Sequence, residues 1–166
     1  MGIVGKSAGE LIAEGCLAIS NNLTADELTT RIAEMDFLIS PVVPSESHEP
    51  DTAGQFSMFL EGNWYKLTPQ RVHPSELDAV ILQKRILSPI LGVDEEGSSG
   101  RLQYLPGSVT TSYLENMTQQ EGGVAFALYP VSMEQLQAVI NRKKTLPPKS
   151  TYFEPKVRSG IFVIER

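Results

Sequence analysis

Lys149, Ser150, Thr151, Tyr152 and Lys156 are the residues of this sequence whose types and spacing best suit chemistry. They lie in Leu146-Pro147-Pro148-Lys149-Ser150-Thr151-Tyr152-Phe153-Glu154-Pro155-Lys156, where prolines fix the backbone on both sides of the cluster. A stiff loop of this kind presents ammonium and hydroxyl groups together. The grouping suits a small anion, a phosphate or a carboxylate. Lys149 would act as a charge clamp while the hydroxyls of Ser150 and Thr151 donate to the same group. The residues fit a second reading equally. A proline-braced connector would use Tyr152 and Phe153 for packing and leave the lysines solvated.

The other candidates are weaker. Gly2-Ile3-Val4-Gly5-Lys6-Ser7 has two residues between its glycines where a phosphate-binding loop needs four, and Ser7 reads better as a helix cap. His48 and His73 are far apart and lack partners at metal-ligand spacing, so both read as solvated loop residues and no metal site is expected. Asp94-Glu95-Glu96 lacks the alternation of a calcium loop. Cys16 is the single cysteine, which excludes an internal disulfide, and it reads as core rather than nucleophile. Trp64 and Tyr65 must point to opposite faces of a strand, so one of them is core.

These residues sit in a chain of 166 residues with 41% hydrophobic and 20% charged content, enough for one domain with a real core. No apolar run approaches the roughly 20 residues of a membrane helix, and no signal peptide is evident, so a cytoplasmic protein without a membrane partner is expected. The net charge of −6 is unevenly spread. Residues 142–166 carry seven basic groups against two acidic ones, and the remaining chain carries seven against eighteen. An acidic surface of this kind argues against nucleic-acid binding, while the basic C-terminal stretch would attract a small anion. Arg142-Lys143-Lys144 also reads as a solvated helix end, favourable at the negative C-terminus of a helix.

Three capping boxes mark helix starts: Ser7-x-x-Glu10, Thr24-x-x-Glu27 and Ser132-x-x-Gln135. Apolar residues at helical spacing follow each, and Ser20-Asn21-Asn22 separates the first two helices as a turn, giving an N-terminal helical hairpin over 1–36. Further helices are expected from Ser75 to about Leu87 and from Val109 to about Gln120. Strands are expected at Phe37–Ile39, Gln55–Leu60, Trp64–Leu67, Leu102–Leu105, Gly123–Tyr129 and Ile161–Ile164, with a hairpin around Gly62-Asn63. Residues 43–55, rich in proline and turn formers, form the candidate flexible linker. The expectation is a single α+β domain over 1–166, a mixed sheet with helices packed on it.

From about Thr24 to the end, the chain resembles the C-terminal part of the bacterial and archaeal family called domain of unknown function 1015. Phe56–Leu67, Glu76–Gly92, Val124–Val139 and Leu146–Gly160 carry the resemblance, the last most specifically. That family is in turn similar to free-serine kinases with a ParB/sulfiredoxin-like fold, which implies phosphoryl transfer through a central Asp-Gly-His-His-Arg motif and a nucleotide cofactor. The motif is absent here: His48 precedes a glutamate and His73 a proline. What the resemblance implies for this chain is a ligand-binding portion, with Lys149, Ser150, Thr151 and Lys156 matching the family's signature loop. Residues 3–34 are similar to the interface domain of dihydrolipoamide dehydrogenases, but Met35-Asp36-Phe37 follows where that family places its histidine-proline segment.

The function expected is noncatalytic binding of a small anion or phosphorylated metabolite at the 149–156 loop. One alternative is a phosphotransferase acting on a small hydroxyl compound such as free serine, with Glu76, Asp78 and Asp94 as unplaced carboxylates. The other is an interaction module that forms a homodimer through the apolar stripe of the helical hairpin.

Overall fold

The computed structural model describes residues 11–12, 15–18, 23–43, 46–72, 76–93, 102–105, 110–142 and 152–153. Its organising element is the hairpin of β4 (Phe56–Leu60) and β5 (Asn63–Pro69). The loop is one residue earlier than the sequence suggests. Glu61 (φ 47°) and Gly62 (φ 82°) are its two central residues. Positive φ at both positions matches the right-handed strand twist, and two residues suffice. Asn63 instead opens β5, and its Nδ2 donates to the Glu61 carbonyl at 3.1 Å. Glu61 pays for a left-handed conformation that asparagine adopts more readily. Glu61→Asn should therefore raise the unfolding free energy by about 0.5–1 kcal/mol, measurable by urea denaturation.

Among the described residues, six strands form one sheet around this hairpin in the order β3-β5-β4-β7-β2-β6. The remaining four are β2 (Gly15–Ala18), β3 (Phe37–Pro41), β6 (Leu102–Leu105) and β7 (Val124–Leu128). A separate two-stranded ladder joins β1 (Leu11–Ile12) to β8 (Tyr152–Phe153). Pro41 is tolerated because β3 lies at the sheet edge and needs no donor on its open side.

The α+β class stands, with two corrections within it. Every described pairing is antiparallel, so the sheet is not mixed. Parallel strands do exist, but an antiparallel strand separates each pair: β5 lies between β3 and β4, and β2 between β6 and β7. The first arm of the expected helical hairpin is also overturned, because residues 11–12 and 15–18 are strand. Leu11-Ile12 and Cys16-Leu17-Ala18 are a short apolar run whose periodicity fits a helix face or a buried strand equally. Pairing on both edges, to β6 and β7, decides for strand. Cys16 accordingly stands opposite Tyr104 and Phe126 in the sheet rather than on a helix.

Alternation along the strands gives the sheet two apolar faces. Phe56, Met58, Leu60, Leu67, Val124, Phe126 and Leu128 point to one, where Leu28 and Ile32 of α1 (Ala25–Glu34) complete the larger core. Ile81, Leu82, Ile86 and Leu87 of α2 join them. This helix begins as α at Asp78–Leu82 and continues as one π turn, Gln83–Leu87, with Ser88 N donating to Gln83 O at 2.9 Å. Phe59, Trp64, Leu105, Leu114 and Ala125 form the smaller core on the other face, beneath α3 (Thr111–Glu121). In crossing from β6 to the parallel β7, α3 packs over β2, β4 and β7.

Thr24 and Ser132 form complete capping boxes on α1 and α4 (Met133–Asn141). The expected box at Ser7, the loop 94–100, the strand 161–164, and His73 and Asp94 lie outside the described residues. Among the described residues, no helix is long and apolar enough to cross a membrane.

Candidate functional site

Of the residues singled out for anion binding, Lys149, Ser150, Thr151 and Lys156 lie outside the described residues. Tyr152 is described through its backbone. It pairs with Ile12, and Phe153 with Leu11. Only Ala13 and Glu14 separate β1 from β2, so Ile12 is at most about 11 Å from Gly15. Gly15 stands in a row across the sheet, Ser40–Lys66–Ser57–Ala127–Gly15–Leu105. The 152–153 ladder thus meets the fold close to one end of β2, the strand beside β6 at the sheet edge.

Lys66 and Ser57 of that row point to the smaller-core face, together with Trp64 and Phe59. Topology dictates what covers them. Because β3 and β4 are parallel with β5 between them, the chain joining them must pass over β5. Residues 46–55 make that crossing, so the segment whose composition marks a linker is a strap tied to the sheet by its side chains. His48 lies flat on Trp64, with ring centroids 5.2 Å apart and planes 16° apart. The Trp64 indole N–H donates to Glu115 Oε1 of α3 at 2.6 Å, and His48 Nδ1 lies 3.5 Å from the same oxygen. The Lys66 ammonium donates to Asp51 Oδ2 at 2.6 Å, and that bond raises its pKa.

At the far end of the strap, Gly54 N donates to both carboxylate oxygens of Asp78, at 2.9 and 3.0 Å. Asp78 is buried, and burial pushes its carboxyl up to about 6 although the Gly54 bond pulls the other way. Of the other carboxylates named for a phosphotransferase, Glu76 lies 3.9 Å from Lys84. No group of three or more metal-ligating side chains occurs among the described residues. Ser57 Oγ is fully buried and has no hydrogen-bond partner among the described residues.

Sequence reading missed this arrangement of His48, Asp51, Trp64, Lys66 and Glu115. The one usable signal was that Trp64 and Lys66, two apart on a strand, share a face. That His48 and Asp51 reach them follows from strand order, which local sequence does not carry.

No family model matches the chain, and no curated protein does. Solved structures do share its fold. One is free serine kinase in complex with AMP, at 13% identity and a TM-score of 0.53 over 86% of this chain and 53% of that one. A point mutant of free serine kinase in complex with AMP matches at 15% and 0.52, over the same shares. A conserved hypothetical protein from Pyrococcus furiosus matches at 13% and 0.53, over 86% of this chain and 55% of that protein. The likeness is one of fold, and the chain spans about half the length of the proteins it matches.

Proposed function

We propose that this chain is a binding module for a small anionic metabolite that carries a phosphoryl group, with Lys149, Ser150, Thr151, Tyr152 and Lys156 as its contacts. The observation that carries the reading is the shared fold with free serine kinase in complex with AMP, over 86% of the chain. A nucleotide is accordingly the first ligand class to test. The proline-braced loop adds the chemistry: a lysine and neighbouring hydroxyls can surround one phosphate with charge-assisted hydrogen bonds. Membership in the C-terminal part of the domain of unknown function 1015 family is the matching proposal for its origin. Binding rather than transfer is proposed because the Asp-Gly-His-His-Arg motif expected of a catalyst is not in this sequence.

Isothermal titration with phosphoserine, ADP and inorganic phosphate tests the reading. Saturable heat with at least one of them is expected, and Lys149→Ala should weaken that binding about tenfold or more, the loss of one charge-assisted contact. Absence of heat with all of them, or heat unchanged by Lys149→Ala, would overturn it.

A further inference from the structure

We propose that Trp64, Lys66 and Ser57 form a ligand site of their own for an anion bearing a flat ring, the class of a nucleoside monophosphate, and that the strap 46–55 occupies it with His48 and Asp51. The inference goes beyond the anion-binding loop and does not depend on it.

The strap presents a ring and an anion in the order that β5 presents their receptors. Trp64 and Lys66 are successive residues on one face of β5, so their Cα atoms stand roughly 6.5–7 Å apart. A ribose sets a comparable spacing between a base and its 5′-phosphate. Over Trp64 lies the His48 imidazole, stacked at 5.2 Å and 16°, where a base would stack. Against Lys66 lies the Asp51 carboxylate at 2.6 Å, where a phosphate would sit. His48 and Asp51 lie three residues apart, so a single segment fills both positions.

Ser57 supplies the observation that the strap leaves unexplained. It stands directly opposite Lys66 in the β4–β5 register, is fully buried, and its hydroxyl has no partner among the described residues. Buried hydroxyls are ordinarily hydrogen-bonded. The Asp51 carboxylate engages Lys66 and leaves Ser57 unmatched, whereas a phosphate has a further oxygen to accept its hydrogen bond.

The strap is also held in a manner that permits exchange. Among the described residues, its ties to the rest of the protein include the His48 contacts, the Asp51–Lys66 pair, the attraction of Glu46 to Lys66 and the Gly54–Asp78 bonds. No ladder hydrogen bond joins it to β5. His48 and Asp51 can therefore withdraw while Gly54 keeps the strap attached. Glu115 holds the Trp64 indole in place throughout, through its 2.6 Å bond.

Trp64 is the only tryptophan of the chain, so its fluorescence reads the ring site directly. AMP should quench it in His48→Ala at concentrations at least tenfold lower than in the wild-type chain, with a smaller shift in the same direction for Asp51→Asn. Adding Lys66→Ala or Ser57→Ala to His48→Ala should reverse the gain, with circular dichroism confirming the fold. Adenosine and inorganic phosphate should each need at least tenfold more than AMP. The proposal is overturned if His48→Ala binds AMP no more tightly than wild type, if folded double variants keep the gain, or if phosphate alone titrates as well as AMP. The loop reading is tested by Lys149-dependent heat and this one by Trp64 fluorescence, so either can fail while the other stands.

Discussion

Replacing Asp78 with asparagine should stabilise the protein at pH 7 by about 1–3 kcal/mol and flatten its stability between pH 4 and 6. Asp78 opens α2, where the positive end of the helix favours a carboxylate, and it accepts two bonds from Gly54 N. Burial outweighs both and raises the folded carboxyl to about 6. The unfolded chain releases that proton near pH 4. Between these values the folded state binds more protons than the unfolded one, so stability falls as pH rises through the window. A difference of roughly two pKa units corresponds to about 3 kcal/mol. Asparagine resembles the neutral carboxyl and keeps one acceptor for Gly54, so most of that cost should disappear. Urea denaturation midpoints from pH 4 to 7.5 read this directly. A variant less stable than wild type at pH 7 would show that the carboxylate's hydrogen bonds outweigh its desolvation.

Phe126→Ala should cost about 3–5 kcal/mol, a large part of the 5–15 kcal/mol that holds a typical domain together. Phe126 is fully buried in β7, opposite Met58 of β4 and Cys16 of β2, in the core beneath α1 and α2. The loss combines the transfer energy of the ring with the cavity it leaves. Ile140→Ala on α4 is the control. Ile140 is 61% exposed, so its loss should lie within about 0.5 kcal/mol of zero. Denaturation midpoints of both variants measure the contrast. A loss of under 1 kcal/mol for Phe126→Ala would mean that the β2–β7–β4 centre is not the core of the fold.

Much of the fold was legible because its signals are local. The capping boxes at Thr24 and Ser132 are complete, and β3 to β7 lie where alternation and turn residues place them. Where a signal was ambiguous, tertiary structure decided it. The run Leu11 to Ala18 fits either period, and only the partners on both sides of β2 make it strand. The antiparallel sheet was hidden for a related reason: which strand separates two parallel neighbours is a property of the whole chain. The strap was the largest omission. Proline and polar residues over 43–55 read as a flexible linker, whereas the described residues 46–55 are tied down as a strap, because composition says nothing about what such a segment crosses. His48 on Trp64 and Asp51 on Lys66 follow from β5 lying between β3 and β4. The 149–156 cluster was read as chemistry from its residue types, and the described residues add only the pairing of Tyr152 with Ile12 in the separate β1–β8 ladder.

We propose that the proline-braced loop of residues 146–156 holds a small phosphorylated anion. Amide chemical-shift mapping of the ¹⁵N-labelled chain during titration with ADP tests it most directly. Saturable shifts are expected at Lys149, Ser150, Thr151, Tyr152 and Lys156, suppressed in Lys149→Ala. Shifts that do not saturate, or that leave all five amides unmoved, would contradict it.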